Sequence, residues 1–187
     1  MNDIRSTQAP VRLDKEEPFI QTQFEREKGF DMSRISETTN LSYDVIFEQL
    51  INGLKRSLSK EITVQKPEFE HSTPNRLRIY LDRNKFSGVH YEICFRQAYY
   101  EFALHFESTP ARNLERRQFF DPHLEEITNL VGQIVKSGPL ENQGRMRVWY
   151  EHKREPIDQE KINIFIEHYS RFMIATYPIL NKVYSNT

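Results

Sequence analysis

Cysteine is nearly absent from this chain: Cys94 stands alone among 187 residues. One cysteine makes no intramolecular disulfide and cannot by itself hold a structural zinc ion. Glycine is scarce too, with six in all, which leaves little material for a phosphate-cradling loop. The spellings G-x-x-x-x-G-K-[ST], G-x-G-x-x-G, G-x-S-x-G and H-E-x-x-H do not occur, so a kinase, an NTPase or a Rossmann dehydrogenase is not expected. Long apolar runs are missing. The densest, residues 165–180, is broken by Glu167, His168, Ser170 and Arg171, and a bilayer crossing needs about 20 apolar residues. The first ten residues carry no apolar core of a secretory signal. A soluble, cytoplasmic protein without a membrane partner is the expectation. An excess of one charge is lacking as well: 26 Lys and Arg meet 27 Asp and Glu, for a net charge of -1. That excludes a basic nucleic-acid coat or an acidic tail as a description of the whole chain.

Aromatic residues are plentiful, at 12% of the chain. They supply large buriable surface despite a mean hydropathy of -0.71. The length suits one domain with an appended arm. Residues 1–40 read as that arm, weakly ordered or held by a partner. They are polar, carry 6 basic and 8 acidic residues, and offer Phe19, Ile20, Phe24 and Phe30 as their main anchors.

Residues 41–187 read as one α+β domain. Tyr43, Ile46, Phe47, Leu50, Leu54 and Leu58 recur at helical spacing, so a helix is predicted over 42–59 with Ser42 as its N-cap. Strands are predicted over 62–66, 76–83, 89–96 and 99–107, from their period-two alternation. Only Gln97 and Ala98 separate the last two, which implies an antiparallel hairpin with His90 opposite His105. A helix follows Asp121-Pro122 and is expected to stop at Gly138-Pro139; a strand covers 145–152; a final helix starts near Asp158 and kinks or ends at Pro178. The sum is an antiparallel sheet of about four or five strands with three main helices packed on one face.

The other sheet face gathers the chemistry. It carries Arg76, Arg78, Tyr80 and Asp82, then His90, Glu92, Cys94 and Arg96, then Glu101, Ala103, His105 and Glu107, then Arg145, Arg147, Trp149 and Glu151. Such a face is ordinarily solvated and laced with cross-strand ion pairs. As a binding surface, Arg76, Arg78, Arg96, Arg145, Arg147 and Trp149 could grip phosphate or stack a base. The acids Glu92, Glu101 and Glu107 argue against a plain nucleic-acid groove and suit a protein partner equally well.

This face offers residues for three chemistries. His90, Glu92, His105 and Glu107 have the donor types of a two-histidine, one-carboxylate metal site, which would bring a divalent metal as the one cofactor. A nuclease of the PD-(D/E)xK type would pair Asp82 with Glu92, but Cys94 stands where the lysine is needed, and Glu151-His152-Lys153 has no evident partner acid. Cys94 as a nucleophile has only His90 nearby as a base; a small, partly buried thiol is the plainer expectation.

The run Val89-His90-Tyr91-Glu92-Ile93, then Leu104-His105-Phe106-Glu107, resembles an uncharacterised α+β domain of bacterial restriction-type and defence-associated proteins, often fused behind a nuclease domain. The likeness covers about residues 76–184. It extends through a helix ending near Val131-Gly132, through Gly144-Arg145-Met146-Arg147-Val148, and through Arg171-Phe172-Met173 and Tyr177-Pro178-Ile179-Leu180. It implies an accessory or nucleic-acid-associated role in genome defence. This chain has no room for a nuclease domain in its first 70 residues. In element order alone the chain is similar to secretion-chaperone-like folds that dimerise and bind an extended segment.

The leading expectation is thus a non-enzymatic interaction module in a bacterial defence or nucleic-acid-associated assembly, its partner a protein or nucleic acid, without a catalytic set. The first alternative is a metal-dependent hydrolase or nuclease using His90, Glu92, His105 and Glu107. The second is a chaperone-like homodimer joined through Ile162 to Met173.

Overall fold

A computed structural model describes residues 41–62, 67–140 and 144–185. The expected arm, residues 1–40, and most of the expected strand over 62–66 lie outside the described residues. Helix α1, Tyr43–Glu61, starts where expected: Ser42 is extended and its side chain accepts from the Val45 N–H at 3.4 Å. Six strands follow the same antiparallel rule: β1 (Glu68–Thr73), β2 (Arg76–Tyr80), β3 (Val89–Phe95), β4 (Tyr99–Phe106), β5 (Lys136–Leu140) and β6 (Arg145–Lys153). Their spatial order is β1-β2-β3-β4-β6-β5. Helices α2 (Pro110–Gln118) and α3 (Leu124–Val131) lie between β4 and β5, and α4 (Gln159–Ser185) closes the chain.

The helix-bearing face of the sheet is a lattice of rings. Phe102 stacks on Tyr150 at 5.1 Å and meets Phe165 of α4 at 5.0 Å, while Phe47 of α1 stacks on Phe95 at 4.9 Å. Tyr91, from the same face, bonds the Thr176 hydroxyl at 2.9 Å inside the core. Helices α1 and α4 approach closely at Gly53, where an added Cβ would sit 2.3 Å from Cδ1 of Ile166.

Four local expectations need correction. The strand expected to run to Arg83 stops at Tyr80, because the Asp82 carboxylate accepts the N–H groups of Asn84 and Lys85 and turns the chain. Asp121 does not cap a helix; it opens a short 3-10 turn, and its carboxylate takes Ser137 and Arg117 instead. The helix after it ends at Val131, not at Gly138: Gly132 adopts the left-handed conformation (φ 75°) that closes the last turn. Gly138 and Pro139 lie in β5, an edge strand of the described sheet, where a residue without an N–H is tolerated. Pro178 does not end α4, which continues to Ser185 because Ile179, Leu180 and Val183 are buried in the core.

Candidate functional site

The hairpin forms in the expected register, with His90 directly opposite His105. Cross-strand partners share a face, so the ladders can be read across the sheet. One row runs Glu68 to Tyr80, crosses to His90 by a ring contact at 5.5 Å, and continues to His105 and Arg147; the next runs Glu70, Arg78, Glu92, Ala103, Trp149, Lys136. Arg76, Arg78, Arg145, Arg147 and Trp149 therefore lie on the face opposite the aromatic one, with His90, Glu92 and His105.

The centre of this face is not the solvated surface that antiparallel sheets usually show. His90, Glu92, Cys94, Glu101, Ala103 and His105 are each at most 4% exposed. Around them the cations pair with the acids. Arg78 Nε donates to Glu92 at 3.2 Å, Arg145 reaches Glu107 at 3.1 Å, Arg147 donates to Glu101, and Arg96 lies 3.7 Å from Glu101. Guanidinium groups also lie over rings: Arg147 over Trp149 at 4.1 Å and Arg83 over Tyr80 at 3.5 Å. Trp149 donates its indole N–H to Glu151 at 2.8 Å, and Lys136 reaches the same carboxylate at 3.2 Å.

These surroundings set the titration of the buried groups. Burial pulls the His90 pKa below its ordinary value; Glu92 and Glu107 pull against this, and a charge on His105 adds to the lowering. Burial alone would raise Glu92, but His90, His105 and Arg76 outweigh it and hold the carboxyl at about 2. Glu101 is lowered in the same way, its burial overcome by His105, Arg147 and Arg96. The Cys94 thiol is pushed up to about 11 by burial.

The four expected metal donors do not converge equally. One donor atom each from His90, Glu92 and His105 lies within 4.8 Å of the others. Glu107 stands behind His90, its Oε2 4.0 Å from Nδ1. Of the acids in the nuclease reading, Asp82 accepts from its own turn, and Glu151 takes Trp149 and Lys136. Sequence reasoning missed Glu68, Glu70 and Lys136, because β1 and β5 were not foreseen, and with them the pairing of Arg83 to Glu68 and Glu70. Period-two alternation around Phe69 was the one signal for β1.

The fold and this face define an α+β protein with one aromatic sheet face and one ionic sheet face. No family model and no curated protein matches the chain. Among solved structures, the chain is similar to "YbjN, a putative transcription regulator from E. coli", with 14% identity and a TM-score of 0.36 over 68% of this chain and 91% of that one. A likeness at that score carries no argument about function. Among the described residues, no helix is long and apolar enough to cross a membrane.

Proposed function

We propose that the chain is a non-enzymatic binding module that takes a protein partner on the rim of the ionic sheet face, within the bacterial defence setting its sequence resembles. The carrying observation is the pairing of cations with acids. Arg78, Arg83, Arg145, Arg147 and Lys136 each have a carboxylate within 3.2 Å. A phosphate backbone would have to displace those acids and would meet their repulsion. A protein surface of mixed charge can exchange pairs with them one for one. Half-exposed Trp149 beneath the Arg147 guanidinium adds the residue types that anchor protein interfaces.

The titration of the buried groups supports binding over catalysis. A carboxyl held at about 2 is a weak general base at neutral pH, and a thiol at about 11 is a poor nucleophile. The helical seam of the chaperone-like alternative is already used, since Ile162, Phe165, Tyr169, Phe172 and Met173 are buried in this chain's own core. A homodimer would have to form through another surface.

The test is affinity purification of the full chain from its native host, beside an Arg147→Glu, Trp149→Ala double variant. The expected result is a stoichiometric protein partner, an absorbance ratio at 260 and 280 nm typical of protein, and loss of the partner in the variant. Co-purifying nucleic acid, or a partner retained equally by the variant, would overturn the reading. Circular dichroism shows whether the variant is folded.

A further inference from the structure

Beneath the rim, the floor of the same face holds groups that partner binding does not use. We propose that His90, Glu92 and His105 form a binding site for one divalent transition-metal ion, with zinc or ferrous iron favoured by the donor set.

The argument begins with register. Antiparallel pairing of β3 with β4 sets His90 against His105, their ring centroids 5.2 Å apart, and Glu92 follows on the same face of β3. All three side chains are more than nine-tenths buried. His90 Nε2, His105 Nε2 and Glu92 Oε1 are each buried without a hydrogen-bond partner among the described residues. Three such atoms together are uncommon, because folded chains satisfy nearly all their buried polar groups. Neither histidine makes a hydrogen bond to its nearest carboxylate: His105 Nε2 lies 3.8 Å from Glu101 Oε1, an atom likewise without a partner among the described residues. His90 Nε2 lies 3.5 Å from Glu92 Oε2 without the geometry of a hydrogen bond, and that oxygen already accepts from Arg78.

One ion resolves all three. Donor atoms at about 2.0–2.2 Å from a shared ion lie roughly 3–3.5 Å apart. The donor atoms now lie within 4.8 Å of one another, so binding has to draw them together by about 1–2 Å. Two imidazoles and one carboxylate select zinc or iron over magnesium and calcium, which prefer oxygen donors. The surroundings also have the outer partners that metal-bound groups keep. Glu107 Oε2 lies 4.0 Å from Nδ1 of His90, and Arg78 holds the second oxygen of Glu92. The donors belong to adjacent positions of one hairpin, so the backbone needs no rearrangement to present them.

The experiment uses the purified full chain, stripped with a chelator and titrated with zinc and, anaerobically, with ferrous iron. Calorimetry reads the affinity, and elemental analysis after gel filtration reads the stoichiometry. The expected result is one equivalent of zinc or iron, with His105→Ala weakening binding at least about 100-fold. Glu107→Gln, outside the donor set, weakens it by about 10- to 100-fold and leaves the stoichiometry at one, so the proposal remains testable if His105→Ala fails to fold. His168→Ala, in the histidine pair at α4, leaves the affinity unchanged. Substoichiometric binding of both metals would overturn the site. So would equal affinity in the wild type and a folded His105→Ala, or loss of binding with His168→Ala. Partner capture is read separately, so failure of this site leaves the protein-binding proposal standing.

Discussion

Strand β4 buries both of its faces, and it does so by opposite means. Toward the helices, Tyr100, Phe102, Leu104 and Phe106 are 0% exposed and sit among rings. One residue away each time, on the other face, Glu101 and His105 are 1–2% exposed among arginines and carboxylates. The aromatic side is stabilised by apolar area and close packing, which change little with salt. The ionic side carries desolvated charges that are favourable only while every partner stays in place. Loss of one partner strands another. The same strand thus teaches how a face can be buried without being apolar.

The largest test of this contrast is Phe102→Ala, expected to cost about 3–5 kcal/mol in urea unfolding through the cavity it leaves between Tyr150 and Phe165. Glu101→Ala comes next. It leaves Arg147 and Arg96 facing each other without their shared acid, for a loss of about 2 kcal/mol, reduced from the fully buried case because both arginines keep some solvent. If it costs as much as Phe102→Ala, the ionic face is as structural as the aromatic one. Gly53→Val forces the contact with Ile166 and should cost about 1–3 kcal/mol by the same measurement.

A pH comparison sharpens the contrast from the aromatic side. His152 lies there, its Nε2 3.3 Å from Nδ1 of His168; burial, then the charges of His168 and Lys161, lower its pKa to about 4, against the weaker pull of Glu155. In the unfolded chain it titrates near about 6.5. Between those values the unfolded state binds more protons. Stability is therefore complete above about pH 6.5 and falls as pH drops toward 4. The two values set the loss from this group between pH 7 and 5 at up to about 2 kcal/mol, reduced toward about 1 by solvent screening, and His152→Gln should remove that part of the slope in unfolding midpoints. Glu92 and Glu101, also lowered, lose their contribution only below the ordinary carboxylate range. The smallest effect is expected from Arg83→Ala, which breaks the exposed pairs to Glu68 and Glu70 and should leave the unfolding midpoint within error at physiological salt.

Much of the fold was legible, and the failures have local causes. The hairpin of β3 and β4 could be read to the residue, because alternation and a two-residue turn leave one register that buries Tyr91, Ile93, Phe102 and Leu104 together. Strand β1 was missed because Phe69 is its one strongly apolar residue. Strand β5 was missed because Gly138-Pro139 carries a stop signal that an edge position neutralises. The metal donors could be named from the sequence, but their inequality could not. Glu107 follows His105 by two residues, as Glu92 follows His90, yet only Glu92 comes into the cluster.

What the sequence by itself determined is the alternation: which side chains share a face, that one face is aromatic, and that the other gathers arginine, histidine and glutamate. Local backbone geometry dictates this, because successive side chains of a strand must point to opposite sides. Only the tertiary structure decided that the polar face is buried at its centre, which acid holds which arginine, and that three donor atoms are left without hydrogen-bond partners among the described residues. Those outcomes depend on the order of non-adjacent strands, above all on β6 returning beside β4 to bring Arg147 and Trp149 across the hairpin. No local pattern encodes that return; it follows from closing one aromatic core around α1 and α4.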